Sequence, residues 1–437
     1  MFAFDQKFKK NLANGGRRVS IRFMIKLPEL LAPAGTLDAF KTAILYGADA
    51  IYAGLPGFSM RARAKISTDE VRNGIELAHA AGKKVYLAFN LFAHDGEYAN
   101  MPRVSEIIRY LSPDALIVSD PGVLMWVREN HPDIPIHIST QANICSAASV
   151  KFWQAAGASL CVLAREVSHR EFISIRRACP DIKLEIFVHG AMCMSYSGRC
   201  LLSNFITGRP ANRGACAQLC RWKYDVILRE CESGIEMPIS EDERGAYIMN
   251  SKDLCLMPRL AEVIAAGPDS LKIEGRNRSE YYVGSVVHAY RAAMDDYARD
   301  PENFDPAKYM EMLNVLESRG YTTAFFDGPV PPDAHNYDSA RSVSEYHAAG
   351  VVTAKNDSEI VMELRNEIKA GDEITFVIPH ESRGVRVQVR QIINAHDNSI
   401  LPKMSAGQHS AIKIPRDWVN SIDFDKIVPF VLAYMHK

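Results

Sequence analysis

The sequence predicts a (β/α)8 barrel followed by a small all-β domain, and three observations indicate this fold class. Short apolar runs ending in Gly, Asn, Ser or Asp alternate eight times with helical stretches between Pro28 and Asp300. No G-x-G-x-x-G motif follows the first predicted strand, which disfavours a doubly wound nucleotide-binding sheet. From about residue 346 the chain alternates in strand fashion, with Gly-Asp and Asp-Asn turns.

The order of the elements supports a barrel because each predicted strand is followed by one predicted helix. The predicted strands are Glu29 to Ala32, Ala50 to Ala53, Lys84 to Phe89, Ala115 to Val118, Ile136 to Ser139, Leu160 to Ala164, Leu184 to Val188 and Ser270 to Ile273. The predicted helices cover about residues 36–47, 67–81, 101–111, 122–130, 146–156, 168–178, 256–266 and 279–298.

Four segments follow from this pattern. Residues 1–24 are expected to be a disordered or non-native extension, because the stretch is basic and contains a Gly-Gly pair, and Met24 is an alternative start. The barrel is predicted for residues 25–300 and includes a long insertion at 190–249 after the seventh strand. Residues 301–345 form a predicted helical linker, and residues 346–437 form the small β-barrel domain.

Composition narrows the class of protein. The net charge is -1, so a polyanionic partner needs a local basic patch rather than an overall field. Nine cysteines without a secretory leader indicate a reducing compartment, and a cytoplasmic location is expected. No apolar run approaches the ~20 residues of a transmembrane helix, so no membrane association is predicted.

The predicted strand ends are rich in polar side chains, and functional groups of such barrels lie there. Converging arginines favour an anionic small molecule, whereas carboxylates there can simply pair with arginines and small polar residues can cap helices. The candidates for substrate binding are Arg61, Arg63, Asn90, Gln141, Arg165 and Arg276, and those for catalysis are His189, Glu166 and Glu274.

The insertion concentrates cysteines. Cys193, Cys200, Cys216 and Cys220 have the spacing C-x6-C-x15-C-x3-C. Clustered thiols in a reducing compartment indicate a metal site, and only one tight pair is present, so a [4Fe-4S] cluster is favoured over zinc. A reactive cysteine is the third option, in which His189 activates Cys193. Cys255 is a possible spare ligand, whereas Cys161 lies within a predicted strand and is expected in the core.

The same insertion is basic and aromatic. Between Gly190 and Tyr224 it contains no Asp or Glu. Basic side chains with aromatic residues between them suit single-stranded nucleic acid, because the cations contact phosphates and the rings stack on bases. Alternatively, the cations offset the negative charge of a thiolate-ligated cluster. The nucleic-acid candidates are Tyr196, Arg209, Arg213, Arg221, Trp222 and Lys223, with Tyr224 as a further ring.

These motifs resemble the collagenase-like peptidase family over nearly the whole chain. The resemblance rests on Glu29-Leu-Leu-Ala-Pro-Ala-Gly35, on Glu185-Ile-Phe-Val-His-Gly-Ala-Met-Cys193 with Gly198-Arg-Cys200, and on Lys272-Ile-Glu-Gly-Arg276. The segment Arg213-Gly-Ala-Cys216-x3-Cys220-Arg-Trp222 is similar to the branch that modifies tRNA.

This resemblance implies an enzyme that forms 5-hydroxyuridine at the wobble position of tRNA, using prephenate and an iron-sulfur cluster. It places the cluster ligands on Cys193, Cys200, Cys216 and Cys220. Prephenate is a small dicarboxylate, which agrees with an arginine-rich rim. Other branches imply alternatives: hydroxylation of ribosomal RNA or of ubiquinone precursors, or a collagenase-like peptidase. A non-catalytic RNA-binding module with structural zinc is a further alternative.

Overall fold

The computed structural model describes most of the chain. The described residues are 25–56, 58, 66–193, 195–197, 199–209, 211, 215–221, 227–229, 236–238, 252–329, 334, 344–407 and 410–437. The predicted extension at residues 1–24 lies outside them.

The first domain is a closed barrel of eight parallel strands, as the sequence predicts. Each strand pairs with the next along the chain, and the eighth pairs with both the seventh and the first. The strands are β1 (Glu29–Pro33), β2 (Ala50–Gly54), β3 (Lys84–Phe89), β4 (Ala115–Val118), β5 (Ile136–Ile138), β6 (Leu160–Val162), β7 (Lys183–Gly190) and β8 (Ser270–Ile273).

Helices cover the outside of the barrel. They are α1 (Leu37–Leu45), α2 (Thr68–Ala80), α3 (Met101–Leu111), α4 (Pro121–Asn130), α5 (Ala147–Ala155), α6 (His169–Ala178), α7 (Leu260–Ala266) and α8 (Glu280–Arg299). Polar residues begin several of them: the Ser67 and Ser168 hydroxyls close capping boxes, and the Asp120 carboxylate accepts from the Val123 amide at 3.0 Å. Part of the polar rim therefore serves to start helices.

The inside of the barrel is more polar than its outer face. Outward residues of the strands pack under the helices in one large apolar core. Inside, the Tyr86 hydroxyl donates to the Glu29 carboxylate at 2.8 Å, and His137 packs edge-on against Tyr86. Burial lowers the pKa of His137 to about 3, so this imidazole is neutral at physiological pH.

The insertion after β7 is closed at its base by a short return strand. Asp253–Cys255 runs antiparallel to the end of β7, with Leu254 opposite Gly190. Tyr321–Thr322 extends the same sheet beyond the return strand. The predicted linker therefore contributes to the barrel domain, and it also contains a helix, α9 (Ala307–Asn314).

The C-terminal domain is an eight-stranded antiparallel sheet around its own apolar core. The strands are β9 (Tyr346–Lys355), β10 (Glu359–Leu364), β11 (Glu373–Val377), β12 (Val385–Gln388), β13 (Ile392–Asn394), β14 (Ile400–Leu401), β15 (Ala411–Pro415) and β16 (Leu432–His436). The order is β12-β11-β16-β9-β10-β15-β13-β14, and β12 and β14 do not pair with each other, so the domain is a half-barrel. The Tyr46 hydroxyl joins it to the first domain by donating to the Val377 carbonyl and accepting from the Leu432 amide.

Among the helices of the described ranges, none has the length and apolarity needed to cross a bilayer.

Candidate active site

A cavity of about 550 Å³ opens where the barrel strands end. Strand residues and the loops after β3, β5, β6 and β8 form its floor, and the insertion forms a wall. The strand side contributes Tyr52, Ala88, Asn90, Ile117, Ser139, Thr140, Gln141, Arg165, Phe187, Lys272, Glu274, Gly275, Arg276, Asn277 and Arg278. The insertion contributes Ala191, Met192, Cys193, Ser195, Tyr196, Ser197, Cys200, Ala211, Cys216, Ala217, Gln218 and Cys220.

Arg165 is held in the cavity by contacts on three sides. Its guanidinium donates to the Ser197 hydroxyl at 2.8 Å, lies 3.6 Å from the Glu274 carboxylate and stacks 3.9 Å from the centre of the Phe187 ring. Both charged side chains are nearly buried. The predicted pairing of a rim carboxylate with an arginine is therefore present, and it fixes the direction of the guanidinium.

Lys272 is a cavity residue that the sequence reasoning did not single out. Its ammonium donates to the buried Glu185 carboxylate at 2.7 Å, and the Ser270 hydroxyl donates to the same carboxylate at 2.9 Å. The nitrogen also lies 4.4 Å from the centre of the Tyr52 ring. A lysine in the middle of a buried strand was the available signal, because such a residue needs a buried partner.

Arg276 and Arg278 complete the cationic part of the lining. Arg276 is buried, and its guanidinium lies 5.7 Å from the centre of the Tyr52 ring. Arg278 lies 3.7 Å from the buried Asp253 carboxylate of the return strand. Among the described lining residues, four side chains are cationic and Glu274 is the one carboxylate. Lys272 and Arg278 pair with Glu185 and Asp253 outside the lining, so the excess concerns the groups that face the cavity rather than the net charge. An excess of cations facing the cavity favours an anionic ligand.

Two further predicted binding residues lie in the cavity and two cannot be placed. Asn90 and Gln141 are buried lining residues, and the Ser119 hydroxyl orients Gln141 by donating to its amide oxygen at 2.9 Å. Arg61 and Arg63 lie outside the described residues.

All four predicted metal-binding cysteines line the cavity, and none of them forms a disulfide. Cys193 and Cys216 are exposed, whereas Cys200 and Cys220 are half-buried. Within the described ranges, no three Cys, His, Asp or Glu side chains are grouped closely enough to hold a metal ion. The set of donors suits an iron-sulfur cluster, but the thiols would have to draw together around it.

Cys255 is not part of this thiol group. It lies outside the cavity lining, with its sulfur 3.9 Å from the Tyr290 hydroxyl. Burial raises the pKa of its thiol to about 11, which disfavours a thiolate. Its predicted role as a spare ligand does not fit this placement.

His189 is also not among the residues that line the cavity. A register irregularity pairs Lys272 with Phe187 but Ile273 with His189, which omits Val188 and turns His189 toward the outer face of the barrel. There its ring packs near three tyrosines, Tyr282, Tyr290 and Tyr321. Burial lowers the pKa of His189 to about 3. Neither acid-base catalysis in the cavity nor activation of Cys193 fits this position.

The other two predicted catalytic residues differ from each other. Glu274 lies in the cavity beside Arg165, as described above. Glu166 is half-buried and is not a lining residue, and burial raises the pKa of its carboxyl. Glu274 is therefore the better placed of the two to act on a bound ligand.

Of the predicted nucleic-acid residues, two have described side chains. Tyr196 is exposed and lines the cavity, and Arg209 is half-buried and donates to the Cys216 carbonyl. The backbone of Arg221 belongs to a short 3-10 helix, Leu219–Arg221. Arg213, Trp222, Lys223 and Tyr224 lie outside the described residues.

Comparison with known proteins gives consistent matches over most of the chain. The model of peptidase family U32 matches residues 35–336. A tRNA hydroxylation protein P of Escherichia coli is 36% identical over 431 residues, covering 89% of this chain and 94% of that protein. A collagenase of Porphyromonas gingivalis is 31% identical, covering 87% of this chain and 94% of that protein. A 23S rRNA 5-hydroxycytidine synthase of Escherichia coli is 31% identical, covering 87% of this chain and 57% of that protein.

Proposed function

Because this chain belongs to the peptidase U32 family, we propose that it is an RNA-hydroxylating enzyme acting on tRNA. The observation that carries the proposal is one cavity with a cationic floor and four cysteine side chains in its wall. Relatives named for hydroxylation of tRNA and of ribosomal RNA point to the same class of reaction.

The thiols are proposed to hold a [4Fe-4S] cluster, with zinc as the alternative. Cys193, Cys200, Cys216 and Cys220 would be the ligands, since they share the cavity and Cys255 does not. An iron-sulfur cluster supplies one-electron redox chemistry at the site when bound. The nearby cations Arg165 and Lys272 would offset part of the charge of a thiolate-ligated cluster.

The cationic floor is proposed to bind prephenate or a similar dicarboxylate. Arg165 and Arg276 can each bind a carboxylate through paired N–H donors, and Lys272 adds a point charge beneath them. The volume of about 550 Å³ suits a small molecule with room for a base beside it. Glu274 lies 3.6 Å from the Arg165 guanidinium and holds it in place.

The second substrate is proposed to be a wobble uridine of tRNA. A base stacked in an RNA loop cannot reach the cavity, so it must be extruded, at a cost of a few kcal/mol. Tyr196 stands in the cavity wall with an exposed ring, where it can receive the base. Hydroxylation of ribosomal RNA would use the same local contacts, so the experiment below tests both.

The geometry gives less support to a peptidase. No histidine is among the described residues that line the cavity, and the one lining carboxylate contacts Arg165. A hydrolase needs a nucleophile, a base and donors for the oxyanion in one site. The exposed cysteines would lack an adjacent base.

The direct test is nucleoside mass spectrometry of RNA from a strain that lacks this protein. We expect 5-hydroxyuridine derivatives to disappear from tRNA and to return with the wild-type gene but not with a Cys216→Ser variant. Any parallel wobble hydroxylase must be deleted first. Persistence of those nucleosides in that strain, with loss of a hydroxylated nucleoside from ribosomal RNA instead, would contradict tRNA as the substrate.

A further inference from the structure

The insertion exposes an apolar surface beside the cavity. Tyr196 is 47% exposed, Leu201 65%, Phe205 89% and Ile206 49%. These four side chains lie within eleven consecutive residues. We refer to them as the insertion patch. Exposed apolar side chains grouped in this way mark an interaction site more often than a chance surface.

A short helix, Leu202–Thr207, holds the patch in place. The Phe205 amide donates to the Leu201 carbonyl at 2.9 Å, so these two side chains lie one turn apart on the same side. Another side of the helix is anchored, since the buried Ser203 hydroxyl accepts from the Ala217 amide at 2.9 Å. That bond ties the helix to the residue after Cys216. Tyr196 lines the cavity itself, so the patch begins at the cavity mouth.

Two arginines flank the helix that carries most of the patch, and Arg209 also donates to the Cys216 carbonyl. Arg199 precedes the helix, with its guanidinium 5.3 Å from the centre of the Phe92 ring, and Arg209 follows the helix. The sequence from Gly190 to Tyr224 has no acidic residue. A partner that presents flat apolar faces joined by negative charges would complement this surface.

We propose that the insertion patch is a stacking platform for unpaired bases of an RNA loop, with Phe205 as its principal contact. Unpaired bases offer π-faces to aromatic side chains while their phosphates meet flanking arginines. A paired helix hides those faces, so the platform distinguishes a loop from a duplex. The inference rests on the proposed function and adds where the RNA loop outside the reacting base is held.

The test uses the full-length protein, purified anaerobically, and a labelled RNA hairpin with a single-stranded loop. Phe205→Ala should weaken hairpin binding by about 5- to 150-fold, the range for loss of one base–aromatic stack. Phe205→Trp should retain binding because it keeps a larger ring. Phe152→Ala is the matched control, since Phe152 is 62% exposed on α5 and should bind as the wild type does.

Three further readouts separate the outcomes. A fully paired RNA duplex should bind the wild type and Phe205→Ala equally. The melting temperature and the iron content of Phe205→Ala should equal those of the wild type, because Phe205 is 89% exposed. Equal hairpin binding by Phe205→Ala and Phe152→Ala would overturn the platform alone. A shift in sedimentation on substituting Phe205 would assign the patch to self-association instead. Failure of the wild type to bind either the hairpin or whole tRNA would contradict the proposed function together with the platform.

Discussion

The two sides of the cavity are built in different ways. The floor consists of barrel side chains fixed by buried partners: Arg165 by Ser197 and Glu274, and Lys272 by Glu185. The wall carries thiols that are exposed or half-buried and do not group around a common point. Under the proposed function, the anion site is largely preorganised by barrel partners, with Ser197 as the insertion's contribution to it, whereas the thiols of the insertion need a bound group to bring them together.

The largest effect is expected in the wall. Serine at Cys193, Cys200, Cys216 or Cys220 should abolish bound iron, acid-labile sulfide and RNA hydroxylation, because a hydroxyl is a poor ligand for iron-sulfur clusters. Iron and sulfide analysis of anaerobic protein measures this.

Cys145→Ser is the matched control, since Cys145 is half-buried but does not line the cavity. It should keep the iron. If the wild-type protein contains stoichiometric zinc and no sulfide, the proposed cluster is wrong and the four cysteines hold a structural metal.

The next prediction tests whether the buried ion pair between Lys272 and Glu185 fixes the floor of the cavity. Lys272→Met leaves the Glu185 carboxylate buried without its partner, which should cost about 3–5 kcal/mol of unfolding free energy. Urea denaturation measures this loss.

The double variant Glu185→Gln, Lys272→Met separates stability from binding. It should recover much of the stability but not the affinity for a dicarboxylate. Full recovery of both would mean that Lys272 is only a structural residue.

A smaller effect concerns the arginines of the floor. Arg165→Ala and Arg276→Ala should each weaken dicarboxylate binding by about 10- to 150-fold, since a charge-assisted hydrogen bond contributes about 1.5–3 kcal/mol. Calorimetric titration with prephenate measures the change, and cluster content should stay constant if floor and wall are independent.

Arg386→Ala serves as the control because Arg386 is exposed on the half-barrel. Unchanged affinity in both floor variants would move the anion site elsewhere, and loss of iron in either would show that the floor also organises the wall.

The smallest effect concerns His189, which is buried outside the cavity. Its pKa falls to about 3 in the folded protein through burial, while the unfolded chain protonates it below about 6.5. Its contribution is therefore fully present above pH 6.5 and is lost as pH falls toward 3. When the pH falls from 7 to 5, the wild type should therefore lose about 2 kcal/mol more unfolding free energy than His189→Gln does.

The hydroxylation rate of His189→Gln at neutral pH should stay near that of wild type. A large fall in the rate with normal RNA and dicarboxylate binding would return His189 to the catalytic set.

Much of the fold was predictable because most barrel strands are short apolar runs followed by an amphipathic helix, and six of the eight barrel helices begin with a side-chain cap. The rim positions of Arg165, Arg276, Asn90 and Gln141 followed from the same rule. The orientation of His189 did not, because a bulge at Val188 changes the face without changing the composition. Spacing grouped the cysteines in sequence but could not place their sulfur atoms.

Two other features were beyond pattern reasoning. Lys272 interrupts an apolar strand, and its partner Glu185 is 87 residues away in the chain, so only the barrel brings them together. Alternation in the C-terminal domain gave the strands but not whether the outer two meet, since closure depends on accumulated twist and tilt.

The return strand has a consequence for how this protein can change over time. Because Leu254 pairs with Gly190, the chain that enters the insertion and the chain that follows it are held about 5 Å apart, one strand spacing. Doubling the length of such a tethered loop costs only about 0.6 kcal/mol in closure entropy. The length of the insertion can therefore change at little cost to the stability of the barrel. Evolution can lengthen or shorten it to meet a new macromolecule as long as Ser197 still binds Arg165 in the floor of the cavity.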